Sequence, residues 1–399
     1  DIPTASDQGL PLTRFRPGPL ASMHCRTGWS LGLNSPSVVA EFKGAGYQFN
    51  NHHHLDAGRF QIYYKGALAH DPGCYGRYGT PYDWAYNKRS ISHNMMLAYD
   101  ASEEVPHGHN DGGMRHPNSR REPANLDILK SEGYRVGEVL AHAFGPNPDA
   151  PFYSYMKIDV TEGYTGRVSA YTRTFCFLNL GIADRPAAVI VLDDMTTVRP
   201  DIRKIWLLHT LEEPAMTGNT VDVRRTEGPY SGRMFVSALL PESPEIRLVE
   251  DKDRTVEVFG KTYEIPGNKV ESAGWRVEVS PSSAAAQDVL LHVMQVMGAG
   301  VSEPLPVARI ETPELLGVAV ADRTVYFARG SKPLGDSVVV TASSGGQVLV
   351  TGLKAGRWGV GPADGPVAEA HDVTAEAGTL FFVADAPGKY RLTPGVGAQ

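Results

Sequence analysis

The sequence predicts an all-β protein, a large antiparallel β-supersandwich followed by a smaller C-terminal β-sandwich, and three observations carry that reading. The 42 glycines and 29 prolines are spread along all 399 residues instead of gathering in one tract, so turns between short elements recur throughout. Strand-length runs enriched in β-branched and aromatic residues fall between those turns. Almost none of them carries a sustained 3.6-residue apolar stripe.

Taken in order, residues 1–30 are Pro- and Gly-rich with little periodicity and are expected as an irregular opening segment. Strand runs follow at 38–42, 60–64, 91–99, 168–177, 187–193, 205–209, 234–239, 275–279 and 289–296. This is more than one small sandwich needs, so residues 31–300 are expected as two large stacked sheets. Met297-Gly298-Ala299-Gly300 marks a break. Shorter runs at 315–320, 324–328, 337–341, 347–351, 379–383 and 390–392, separated by Gly-rich turns, give the second sandwich over residues 301–399. No internal repeat, heptad or low-complexity tract interrupts the pattern.

Composition narrows the function. With 42% hydrophobic and 21% charged residues the chain is ordinary for a globular protein, and no apolar run approaches the 18 or so residues that span a bilayer, so no membrane partner is expected. The net charge of −7 gives no global attraction for nucleic acid, and an anionic ligand has to be held by a local basic cluster. Cys25, Cys74 and Cys176 are odd in number and far apart, which announces no disulfide framework. The chain opens on Asp1-Ile2-Pro3 without an initiating Met or an apolar leader, as expected of a processed form or a segment of something longer.

The most informative stretch is Asn51-His52-His53-His54-Leu55-Asp56-Ala57-Gly58-Arg59-Phe60. On an extended chain side chains alternate, so His52, His54 and Asp56 share one face and His53 takes the other. Asp71 follows at a strand end and His93 at the start of another apolar run. Three adjacent antiparallel strands would bring His54, Asp71 and His93 within about 2.0–2.2 Å of one ion, and two imidazoles, a carboxylate and a water make a zinc site of ordinary composition. The same residues also suit a polar hydrogen-bond network, since no HExxH motif or CxxC pair is present. Asp56 is expected to orient a ligand histidine. His107-Gly108-His109 reads as loop chemistry, and His209 and His292, inside apolar runs, as core histidines.

The segment from Asn51 to Gly73, which reads Asn-His-x-His-Leu-Asp-Ala-Gly-x-Phe-Gln-Ile-Tyr-Tyr-Lys-Gly and then Leu-Ala-x-Asp-x-Gly, resembles the heparinase II/III group of polysaccharide lyases. The likeness continues through Lys88-Arg89-Ser90-Ile91-Ser92-His93-Asn94, Asn110-Asp111-Gly112-Gly113-Met114-Arg115, Trp206-Leu207-Leu208-His209-Thr210 and Trp275-Arg276-Val277-Glu278-Val279-Ser280-Pro281. It implies the supersandwich and C-terminal β-domain, a buried zinc ion on His54, Asp71 and His93, and an active-site histidine at His52. It also implies a bacterial secreted or periplasmic enzyme acting on an acidic polysaccharide. Members of the group carry an N-terminal helical toroid that supplies half of the cleft. No helical segment precedes the sandwich here, so the toroid is expected as a partner from the same precursor or a separate chain. A homo-oligomer is compatible with this reading.

A uronate lyase neutralises the C5 carboxylate, abstracts the C5 proton and protonates the departing O4, which takes donors at the carboxylate, one base and one acid. His52 suits the first task or base work. Tyr75, Tyr78, Tyr82 and Tyr86 crowd the loop between Asp71 and His93, and Tyr78 and Tyr82 are favoured as catalytic, against the commoner use of such rings in packing or sugar stacking. Lys88, Arg89 and Arg115 are candidates for binding sulfate or carboxylate, with Arg89 and Arg115 offering bidentate forks. The expected function is therefore β-elimination on a heparin-, heparan sulfate- or alginate-like polymer. The alternative is a module that grips acidic glycans without cleaving them.

Overall fold

The computed structural model describes residues 10–49, 52–76, 78–105, 110–115, 122–164, 166–251, 254–267, 269–330, 332–342 and 345–395. The fold is nearly all β, with 50% strand and 6% helix, and forms two compact units that divide between Ser302 and Glu303, the second also taking in Ala141–Pro146. No helix among the described residues is long and apolar enough to cross a membrane.

The first unit opens with a five-stranded antiparallel sheet in chain order, β1 (Thr13–Arg16), β2 (Ser22–Arg26), β3 (Val39–Lys43), β4 (Phe60–Tyr63) and β5 (Ala67–Ala69). Met23, Cys25, Ala40, Phe42, Phe60 and Ile62 are buried on one face while the alternate residues of β2 and β3 are half-exposed, as a pleat with one dry face requires. The opening segment expected to be irregular thus supplies two strands. The signal was the alternation Ser22-Met23-His24-Cys25-Arg26, too short to stand out among flanking Gly and Pro.

Two larger sheets build the core of this unit. The eight-stranded one runs in the order Ala215–Thr217, Thr220–Arg225, Gly232–Leu240, Gln287–Gly298, Arg185–Thr197, Val168–Ile182, Tyr153–Asp159, Glu138–Gly145. The four-stranded one runs Pro244–Glu250, Trp275–Pro281, Arg203–Thr210 and β6 (Met96–Tyr99). They face each other, for Trp206 of the smaller sheet stacks on His292 of the larger with ring centroids 3.9 Å apart, and Phe175 of the larger sheet stacks on Phe42 of β3 at 4.7 Å. The run expected over 91–99 is only partly strand, because Ser90–Ser92 forms a short helical turn and pairing starts at Met96.

One buried charge ties this core to the loops above it. Arg173 and Asp193 form a fully buried ion pair with nitrogen to oxygen at 2.6 Å. The remaining guanidinium nitrogen donates to the carbonyls of Gly58 at 2.9 Å and Asn94 at 3.0 Å. A desolvated cation is tolerated only with such full pairing, and the pairing fixes two loop carbonyls.

The second unit stacks a five-stranded sheet (Val307–Glu311, Leu315–Val320, Arg323–Ala328, Gln347–Thr351, Thr379–Val383) on a four-stranded one (Val338–Ala342, Gly388–Pro394, Gly356–Pro362, Glu369–Val373). Tyr326, Trp358, Val340, Phe382 and Leu392 fill its core, and Tyr326 settles its buried hydroxyl on the Thr341 carbonyl at 2.6 Å. All three cysteines are buried free thiols. Burial pushes Cys25 up to about 12.

Candidate functional site

The histidine segment does not run extended. His52 takes a left-handed backbone (φ 57°) and Gly58 another (φ 91°), the latter closing a turn in which Arg59 N–H donates to the Asp56 carbonyl at 3.1 Å. Leu55 N–H bonds to the Lys88 carbonyl at 3.0 Å instead of to a sheet partner. The alternation expected of a strand is therefore absent. His52 is exposed, His54 half-buried and Asp56 buried.

His54, Asp71 and His93 nevertheless meet. His54 Nδ1 lies 3.2 Å from His93 Nε2, and His93 Nδ1 lies 2.5 Å from Asp71 Oδ1. The outer nitrogen of His54, Nε2, is 2.7 Å from the Tyr75 hydroxyl. Burial, with His93 adjacent, holds His54 down at about 4, so its ring is neutral. Burial works against the Asp71 charge, yet His93 and Arg59 outweigh it and hold the carboxyl at about 2. Asp56 does not orient a histidine as expected. It pairs with Lys43 and with Arg59 at 2.8 Å, and is held below the usual carboxylate range against the burial that opposes it.

The His93 neighbour, Asn94, fixes this cluster to the sheets. Its fully buried amide donates to the carbonyls of Phe60 (2.9 Å) and His70 (2.8 Å) and accepts from His209 N–H (2.8 Å). The two sequence fragments containing Asn94 and His209 are thus one structure. His209 is a core histidine bonded through Nδ1, whereas neither nitrogen of His292 has a hydrogen-bond partner among the described residues.

Of the other expected residues, His52 is at the lip, its ring 5.7 Å from Tyr75 and 5.5 Å from Tyr78 by centroid. Tyr75 and Tyr78 are each 57% exposed. Lys88 Nζ lies 3.9 Å from the Tyr78 ring centroid and pairs with Asp83 at 3.2 Å. Tyr82 is not brought to the cluster. It is 2% exposed inside an apolar group with Cys74 and Tyr86, and burial drives its phenol up. Arg89 and Arg115 are likewise absent from the lip. Arg89 is buried on Asp111 at 2.5 Å, and Arg115 binds Glu103 at 2.6 Å and Asp111 at 3.3 Å. Both forks are spent on carboxylates of the fold, the buried Asp111 above all, which needs them more than a solvated ligand does. His107 and His109 lie outside the described residues. Sequence reasoning named Tyr75 among the loop tyrosines without favouring it, and passed over Arg173. For Arg173 a signal existed, a cation in the middle of an apolar run.

As a metal centre the cluster offers two imidazoles and an ionised carboxylate, the donor chemistry of zinc. The 3.2 Å between the facing nitrogens is the spacing of two ligands on a tetrahedral ion bound at about 2.0–2.1 Å. Asp71 stands on the outer nitrogen of His93, where a carboxylate orients a ligand imidazole. Among the described residues no three His, Cys, Asp or Glu side chains converge as a formed metal site. The donor types fit zinc, with Asp71 in the orienting place.

Stacked antiparallel sheets followed by a separate two-sheet unit make this an all-β chain of sandwich class. Residues 309–394 match the model of the heparinase II C-terminal domain, so the second unit carries the C-terminal β part of a heparinase II/III-like protein, as the resemblance implied. Among solved structures, a mutant of heparan sulfate lyase HepC from Pedobacter heparinus is 11% identical with a TM-score of 0.49, over 79% of this chain and 42% of that one. A heparinase III gene product is 10% identical with a TM-score of 0.47, over 78% and 41%. The chain thus spans about two fifths of the length of the structures it is similar to. No curated protein matches the sequence.

Proposed function

We propose that the chain is the β-sheet part of a polysaccharide lyase that cleaves a uronic-acid-containing polymer by β-elimination, completed by a helical toroid outside these 399 residues. The observation that carries the proposal is His52, exposed at the lip between the rings of Tyr75 and Tyr78, two residues from the His54–His93–Asp71 cluster. The fold class and the heparinase II C-terminal domain support it.

In this reading His52 meets the uronate carboxylate or takes the C5 proton, and the Tyr78 phenol, its ring over the Lys88 ammonium, serves the departing O4. His54 and His93 are the residues that would hold zinc, with Asp71 on the outer nitrogen of His93, and the ion when bound would supply fixed positive charge beside the lip. The protein's own contribution is rigidity. Arg173 and Asn94 hold the backbone on both sides of the cluster, so the lip keeps its geometry as substrate enters. A secreted or periplasmic location belongs to the same proposal.

The test is the rise in ultraviolet absorbance from the unsaturated product, measured on heparin, heparan sulfate and alginate with the toroid-containing protein. His52→Ala should lose at least about 100-fold in turnover with unchanged melting temperature and zinc content. Near-normal turnover would remove His52 from the chemistry. Binding of the polymers without any absorbance change would leave a glycan-gripping module.

A further inference from the structure

Each imidazole of the His54–His93 couple turns one nitrogen inward and one outward. The outward Nδ1 of His93 is taken by Asp71 at 2.5 Å. The outward Nε2 of His54 is taken by Tyr75, 2.7 Å away, and the same phenol oxygen lies 3.4 Å from the His52 carbonyl. A phenol has one hydrogen to give and an oxygen that also accepts.

The phenol hydrogen has two places to go, and each sets a different arrangement of lone pairs. With its hydrogen on the His52 carbonyl, Tyr75 accepts the Nε2–H of His54, which leaves the His54 lone pair on Nδ1. Asp71 accepts the Nδ1–H of His93, which leaves that lone pair on Nε2. The two lone pairs then face each other across 3.2 Å, an arrangement suited to a cation between them. With the phenol hydrogen turned to Nε2 instead, His54 donates from Nδ1 to His93 and the couple closes on itself.

The placement of Tyr75 is not that of a packing residue. Its ring is 57% exposed, while the chain on either side of it passes close to its neighbours at two glycines. A Cβ on Gly73 (φ 138°) would meet Asn87 Oδ1 at 2.5 Å, and one on Gly76 would meet Pro266 at 2.5 Å. The ring faces solvent while its hydroxyl reaches back to His54.

We infer that Tyr75 is a positioning residue for a divalent cation between His54 and His93, setting the His54 tautomer as Asp71 sets that of His93. The inference rests on the zinc reading above and adds a residue that reading did not contain.

The experiment is zinc titration of the 399-residue chain in competition with a chromophoric chelator, beside thermal melts of the metal-free protein. Tyr75→Phe keeps the ring and removes the oxygen. Its zinc affinity should fall about 10–100-fold with an unchanged metal-free melting temperature, while Tyr78→Phe, equally exposed in the same loop, keeps wild-type affinity. Wild-type affinity in Tyr75→Phe, or an equal loss in Tyr78→Phe, overturns the inference and leaves the zinc reading standing. A wild-type chain that takes up no zinc overturns both.

Discussion

Two side chains with buried polar atoms allow free-energy predictions at the scale of single residues. Asn94 uses both amide hydrogens and its oxygen on three separate segments, so Asn94→Ala strands two carbonyls and an N–H in the interior. Urea unfolding should show a loss of about 2–4 kcal/mol. Asp251 has a buried oxygen without a hydrogen-bond partner among the described residues, and burial, only partly offset by Arg276, pushes its carboxyl up to about 7. Since the native state binds this proton more tightly than the unfolded chain, its contribution is complete below about pH 4 and is lost as pH rises towards 7. Asp251→Asn should remove that slope and leave the variant more stable than wild type at pH 8, by about 1–3 kcal/mol. A difference that does not change between pH 4 and 8 would refute the assignment. The residues that meet in the cluster were legible because their types and order carry the chemistry. The partner of Tyr75 was not, because it is set by the left-handed backbone of His52 and the tight passage at Gly73, which no side-chain pattern announces.

At the scale of elements, strands buried on both faces were the readable ones. Leu315–Val320, Gln347–Thr351 and Thr379–Val383 coincide with their apolar runs, since an apolar residue at nearly every position leaves little room for another reading. Thr13–Arg16 and Ala215–Thr217 were missed because half or all of their side chains face outward, so pairing and not burial defines them. The segment from Asp71 to His93 belongs to neither class. It holds the helical turn Asp83–Asn87 and is fastened to its surroundings by bonds such as Gly73 N–H to the Glu271 carbonyl. If zinc binds at His93, whose outer nitrogen Asp71 holds, it ties the two ends of this segment together and orders it. Chelation of the zinc-loaded chain should then lower the melting temperature and make residues 71–93 the first site of proteolysis. Unchanged melting and an unchanged digestion pattern would show that the ion has no structural role.

For the whole molecule, the net charge of −7 hides a close local balance, with Lys43, Arg59, Lys88, Arg89 and Arg115 each facing a carboxylate. The cations near the cluster are committed to the fold, which is why Lys88, Arg89 and Arg115 do not form the free basic patch their sequence positions offered. The three free thiols carry a different consequence. Cys25 and Cys176 are wholly buried in the sheets, whereas Cys74 sits 9% exposed in the loop beside the cluster. Thiol reagents attack only the accessible thiolate, so labelling rates follow how often each place opens. Under mild conditions Cys74 should be modified at the opening frequency of the loop, and the other two only when the sheets come apart. The protein therefore contains two clocks running at different rates, one timing the lip of the site and one timing the lifetime of the native state.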